Sequence, residues 1–162
     1  MNRPLTLLFI SLFCINFAHT KGLHNLSAHL SEPTKLQEEV HELLSNTQAP
    51  HKLRDIQASL TRNDDPRLLK AFAVIAHGLA AESADHVRAD ILYKIVAQSC
   101  FWLYTYPDDQ LSEAGKADRQ YILSWMSLLF KGELPSHIET ETLVDVLKNQ
   151  ARQLQQAQHA LA

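Results

Sequence analysis

Hydrophobic residues recur every three or four positions along most of the chain, which is the spacing of an amphipathic α-helix. A short stripe of Leu23, Leu26 and Leu30 predicts a leading helix. Longer stripes then follow, separated by polar connections: Leu36, Val40, Leu43 and Leu44; Leu53, Ile56 and Leu60; Leu68, Leu69, Phe72, Ile75, Ala76 and Leu79; Val87, Ile91, Leu92, Ile95, Val96, Trp102 and Leu103; Tyr121, Ile122, Trp125, Leu128 and Leu129; Leu143, Leu147, Ala151, Leu154, Ala157 and Leu161. Alternating β-branched runs and hairpin dipeptides are absent from the sequence. We therefore predict an all-α fold, a single-domain antiparallel bundle of about five to seven helices over residues 21–162.

Prolines and capping side chains mark where several of these helices begin. Pro50 suits a first helical turn, where its missing N–H costs nothing, and Asp65 before Pro66 is a strong helix start. Two capping boxes predict two further starts: Thr34 with Gln37, and Ser136 with Glu139.

The helix that we expect to open at Ser83 or Asp85 and to stop at Tyr106 is the most apolar of the set. It carries no charge from Ser99 onwards. A helix that is apolar on all sides is usually buried on all sides. We therefore expect this helix at the centre of the bundle.

The beginning of the chain has the pattern of a secretory signal peptide. Arg3 supplies the positive charge, and the apolar run Leu5–Phe17 is shorter than the ~20 residues that a bilayer-spanning helix needs. We expect residues 1–20 to be removed, with the cut between 18 and 22, and the alternative is an uncleaved N-terminal anchor. The mature protein is then secreted or periplasmic. No later stretch of the sequence is long and apolar enough to cross a membrane.

The composition is that of a globular domain. Hydrophobic residues make up 46% of the chain and charged residues 20%, which is too apolar for a disordered protein. Fifteen Lys and Arg face 18 Asp and Glu without a basic block, so nucleic acid is not an expected partner. Loss of Arg3 with the signal peptide leaves 14 basic and 18 acidic side chains, a net charge of −4.

Cysteine chemistry is limited. Cys14 leaves with the signal peptide, so Cys100 remains alone and no internal disulfide can form. Cys100 lies in an apolar run, which indicates a buried, inert thiol. An intermolecular disulfide is the alternative.

Sequence motifs for catalysis are absent. The chain has no Gly-x-Ser-x-Gly, no P-loop and no glycine-rich dinucleotide turn. His41 and Glu42 match the first two residues of the His-Glu-x-x-His motif of zinc proteases, but Ser45 occupies the position of the second histidine ligand. We therefore expect no cofactor and favour a protein that is not an enzyme, although residues far apart in the chain could still meet in a site.

Histidine is frequent, with nine residues in the chain. His77 and His86, together with Asp85 and Asp90, lie around one helix junction and are weak candidates for a metal site. Ordinary surface positions are one alternative. A response to pH is another, because histidines gain charge in an acidic compartment.

Aromatic residues are concentrated in the run Phe101–Tyr106. Tyrosine and tryptophan have polar tips that favour the edges of cores, pockets and interfaces. The candidate binding residues are Trp102, Tyr104, Tyr106, Tyr121 and Trp125. Plain core packing is the alternative.

These observations favour an exported, soluble helical protein that binds another protein, as an accessory, inhibitor or immunity-like factor would. The aromatic run is one candidate surface. The other is the terminal amphipathic helix, whose glutamine-rich end from Asn149 to His159 is expected to fray or to pair with a partner. A carrier of a small ligand or a metal ion in the same compartment is the alternative.

Overall fold

The computed structural model describes residues 32–161, and the predicted signal peptide, leading helix and Cys14 lie outside these residues. The described part has no β-strand and forms one 3-10 turn and six α-helices, so the all-α prediction is confirmed. None of these helices is both long and apolar enough to span a membrane. In chain order they are α1 (Pro33–Asn46), α2 (Pro50–Ser59), α3 (Pro66–Glu82), α4 (His86–Thr105), the 3-10 turn Asp108–Gln110, α5 (Glu113–Leu129) and α6 (Thr140–Leu161).

Local capping chemistry sets the starts of α2, α3 and α4, as predicted. Pro50 occupies the first turn of α2. The Asp65 carboxylate accepts the backbone N–H of Arg67 at 2.9 Å, and the Asp85 carboxylate accepts that of Val87 at 3.0 Å. Each bond satisfies an amide that has no partner inside its own helix.

The capping box predicted at Thr34 and Gln37 is wrong. α1 begins two residues earlier than predicted, at Pro33, and Glu32 holds the N-cap position. Proline suits the first turn because its φ is already helical and its missing N–H costs nothing there. Thr34 therefore lies inside the helix, where its side chain cannot cap the N-terminus.

The capping box predicted at Ser136 and Glu139 is also wrong. α6 begins only at Thr140, and the segment from Ser136 to Glu139 is not helical. Ile138 in this segment is buried in the core. Burial of that side chain is a tertiary interaction, and it overrides the local preference for a helix start.

α4 lies at the centre of the bundle, as predicted, and packs against α2, α3, α5 and α6. Most of its side chains from Ile91 to Cys100 are buried. The expectation of burial on all sides is wrong at both ends, because Trp102 and Tyr104 are only half-buried and Val87 is 51% exposed. Trp and Tyr lie at the edge of the core because their polar tips bond to neighbouring turns.

Arg88 fastens the end of α1 to the start of α4. Its guanidinium donates to the carbonyls of Leu44 and Thr47, each at 2.6 Å. Both carbonyls belong to the C-terminal end of α1, where carbonyls lack partners within the helix. These two hydrogen bonds hold the C-terminal end of α1 against the first turn of α4.

Cys100 lies in the core and is 1% exposed. Burial raises the pKa of its thiol to about 12, so the reactive thiolate does not form at neutral pH. The prediction of a buried, inert thiol is confirmed.

Candidate functional site

The five aromatic residues predicted to bind a partner lie in two places. One group lies at the end of α4, and the other lies on α5 against α3. The second group shares a cavity. The first group is Trp102, Tyr104 and Tyr106, and the second is Tyr121 and Trp125.

Aromatic side chains at the end of α4 donate hydrogen bonds to two segments outside the helices, at Leu60 and at Pro135. The indole N–H of Trp102 donates to the Leu60 carbonyl at 3.1 Å, and the Gln98 amide donates to the same carbonyl at 2.6 Å. The Tyr104 hydroxyl donates to the Pro135 carbonyl at 2.6 Å. These bonds give Trp102 and Tyr104 a structural role.

A buried carboxyl group lies in the turn between α2 and α3. Asp64 is 4% exposed, and its Oδ2 accepts the backbone N–H of Thr61 at 2.7 Å. Burial raises the pKa of Asp64 to about 6, the Thr61 N–H opposes that shift, and the charge of Asp65 adds to it. The pKa of the Tyr106 phenol is also raised, mainly by burial and then by the charges of Asp65 and Asp64. Asp64 therefore changes charge closer to neutral pH than an ordinary aspartate does.

A small cavity between α3 and α5, the α3–α5 notch, contains the second aromatic group. The rings of His77 and Trp125 pack in an edge (T-shaped) arrangement, with their centroids 5.1 Å apart and their planes at an angle of 74°. Burial lowers the pKa of His77, which favours its neutral ring. The notch has a volume of about 110 Å³ and is lined by Ala73, Val74, His77, Tyr121, Ile122 and Trp125.

Lys70 supports the ring of Tyr121 in this notch. Its Nζ lies 4.6 Å from the ring centroid, a cation–π contact, and 3.1 Å from a carboxylate oxygen of Asp118. Tyr121 is nevertheless 57% exposed. The notch therefore presents to the solvent the ring of Tyr121, whose position Lys70 stabilises.

The four weak metal candidates take part in other features of the fold. His77 lies in the α3–α5 notch, Asp85 caps α4, and His86 is the first residue of that helix. Asp90 is paired with two lysines, and the hydrogen bond from Lys148 lowers its pKa most. Among residues 32–161, no three His, Cys, Asp or Glu side chains come together in a group that could hold a metal ion.

A larger groove, the cationic groove, lies where the end of α3, the start of α4 and α6 meet. Its volume is about 730 Å³. The apolar lining is Ala80, Ala81, Val87, Ala89, Ala151 and Leu154. The charged lining is mostly basic, namely Arg54, Asp90, Lys148 and Arg152, and His86 lies beside it. His86, Asp90 and the terminal helix were sequence candidates that contribute to this groove. The groove itself could not be predicted from the sequence, because α2 and α6 are distant from α3 and α4 in the chain.

The second half of α6 is exposed to the solvent, although Leu154, Gln155 and Gln158 line the cationic groove. Leu143 and Leu147 are buried, whereas every residue from 152 to 161, the projecting segment, is exposed. Leu154 is 57% exposed and Leu161 is 90% exposed. The predicted stripe of α6 is therefore buried in its first half and exposed in its second half, which no described helix covers.

Two surfaces thus present apolar groups to the solvent. The α3–α5 notch offers aromatic rings on a rigid base, and the cationic groove continues into the projecting segment. Comparison of the chain with models of protein families, with curated proteins and with solved structures finds no match.

Proposed function

We propose that the protein is exported and binds another protein through the projecting segment and the cationic groove. The stripe of α6 carries this proposal, because it is buried over its first half and continues, exposed, through Leu154 to Leu161. A helical segment of about ten residues is marginal in water by itself. A partner that covered the stripe would gain about 1.5–3 kcal/mol for each leucine that it buried fully.

The cationic groove supplies a second wall for such a partner. Val87 from α4 and Leu154 from α6 both line it, and both are more than half exposed. A helix lying in the groove would therefore contact apolar side chains on two sides. Amphipathic helices bind in this way when their apolar residues recur every three or four positions.

Export is supported by the charged start and the apolar run within residues 1–20. We expect the native protein to begin between residues 19 and 23 and to be recovered outside the cytoplasm. Cell fractionation followed by measurement of the intact mass tests both points. A cytoplasmic chain that retains Met1 would contradict them.

Paired variants test the binding proposal. Leu154→Asp with Leu161→Asp places charge on the exposed stripe, and Gln153→Asp with Gln156→Asp places the same charge on other faces of the same segment. The wild type and the glutamine variant should capture the same protein from the native compartment, and the leucine variant should lose it. Equal capture by all three chains, or by none, would refute the proposal.

A carrier of a small ligand is the second candidate function, and the α3–α5 notch supports it. Its volume of about 110 Å³ is of the same order as the ~150 Å³ of an apolar cavity that admits benzene, so a single ring is the largest ligand expected there. Phenol should then raise the unfolding temperature of the wild type but not of Trp125→Ala. An unchanged unfolding temperature in both chains would remove this candidate.

A further inference from the structure

The cationic groove carries a surplus of positive charge in an acidic protein. Arg54, Lys148 and Arg152 line it against a single carboxylate, Asp90. That carboxylate is already paired with two lysines, so it contributes little negative potential. The whole chain has a formal charge of −3 at pH 7, which is opposite in sign to the groove.

The projecting segment continues this pattern. From residue 149 to the end, the sequence contains no Asp or Glu, and its charged or titratable side chains are Arg152 and His159. The other polar positions of this stretch are filled by glutamine and one asparagine. The exposed half of α6 therefore carries the positive charge of Arg152 without an acidic residue that would offset it.

Part of the groove is lined by small side chains. Helix axes approach to about 8–10 Å depending on the side chains at the contact, and alanine permits the closer approach. Val87 and Leu154 add apolar contact points on opposite walls. The alanines that line the groove are Ala80, Ala81, Ala89 and Ala151.

We infer that the partner inserts an acidic amphipathic helix into the cationic groove, an inference that rests on the proposed function. The apolar face of that helix would cover Val87 and Leu154. Carboxylates flanking the face would then lie near Arg54 and Arg152. Such complementary charge accelerates association and excludes partners of the wrong sign.

A second copy of this chain is a poorer occupant of the groove. In a two-fold dimer, each copy presents the same surface to the other. The groove and the projecting segment would then bring Arg54, Lys148 and Arg152 of one copy near the same basic groups of the other. Like charges in an interface are unfavourable, and this argues for a partner of opposite charge.

The first test uses the full mature chain and two synthetic amphipathic peptides with the same leucine spacing. One peptide carries glutamate on its polar face, and the other carries lysine at the same positions. In fluorescence anisotropy at low salt, the glutamate peptide should bind at least about tenfold more tightly, and its affinity should fall as salt is added. Equal affinity, a preference for the lysine peptide, or no binding of either peptide would overturn the inference.

Charge reversal assigns the preference to the groove. Arg54→Glu with Arg152→Glu should transfer the preference to the lysine peptide. The matched control, Lys52→Glu with Arg62→Glu, changes the net charge equally at exposed positions that do not line the groove and should keep the preference for glutamate. An unchanged preference in the groove variant, or a lost preference in the control, would overturn the inference.

The inference and the proposed function fail in different ways. If the native partner is lost from Leu154→Asp with Leu161→Asp but retained by the groove variant, the proposed function stands and the acidic helix is refuted. If both variants retain the partner, the proposed function itself is refuted. A wild-type dimer in sedimentation that Leu154→Asp dissociates would identify a second copy as the occupant and overturn the inference.

Discussion

Replacement of Asp64 by asparagine should make the stability of the protein less sensitive to pH. Asparagine cannot ionise, but its side-chain oxygen can still accept the backbone N–H of Thr61, as Asp64 does at 2.7 Å. The side chain is 4% exposed, so its charge is held away from water in the folded state. The variant therefore removes a buried charge and retains the hydrogen bond that closes the turn.

The size of the effect follows from the pKa of Asp64, which burial raises from 3.8 to about 6. One pKa unit corresponds to about 1.4 kcal/mol, so the full effect is about 3 kcal/mol. The pKa is higher in the folded chain, and the stability associated with protonated Asp64 is therefore fully present below about pH 4. It is lost as the pH rises through about 6.

Urea unfolding monitored by circular dichroism at about pH 4 and about pH 7.5 measures the change. The free energy of unfolding of wild type minus that of Asp64→Asn should fall by about 2 kcal/mol between the two conditions, because Asp64 is still partly ionised in the unfolded chain at the lower pH. Asp55→Asn, the same change at an exposed position of α2, should alter stability by less than about 0.5 kcal/mol. A difference between wild type and Asp64→Asn that stays constant with pH, or that grows, would refute the reasoning.

Three further variants test the assignment of residues to the core or to the surface. Ser99→Ala should stabilise the fold by about 1 kcal/mol, because the Ser99 hydroxyl is buried without a hydrogen-bond partner among the described residues, and a lower urea midpoint would contradict this. Phe72→Ala should cost about 3–5 kcal/mol because Phe72 is 1% exposed, and a loss below ~1 kcal/mol would show that the ring is not in the core. A chain that stops after Ala151 should keep the wild-type midpoint, since the removed residues are exposed, but should not capture the partner. A clear loss of stability would show that the projecting segment packs against the bundle.

Features that depend on near neighbours in the chain could be predicted from the sequence. Asp65 and Asp85 bond to amides only two residues further on, so a local motif contains all the atoms involved. The same reasoning failed at Ser136 because the path of the chain there is set by the burial of Ile138. A capping motif therefore predicts a helix start only where no tertiary contact competes with it.

Exposure could not be predicted in the same way. Leu147 and Leu154 belong to one stripe, and they differ only in whether other helices cover them. Asp64 stands in a polar turn, and its sequence neighbours do not reveal its burial. Arg54 and Arg152 line one groove although they lie at opposite ends of the helical region, so only the fold brings them together.

The projecting segment also determines where proteases first meet the folded chain. Arg152 is an exposed cleavage point at its base, and the helix beyond it has no packed body to resist unwinding. An enzyme that cuts after arginine would trim the last ten residues and leave the six-helix body intact. A bound partner would make the peptide bond after Arg152 resistant to cleavage. In a medium rich in proteases, the lifetime of the intact chain would then depend on whether the partner is bound.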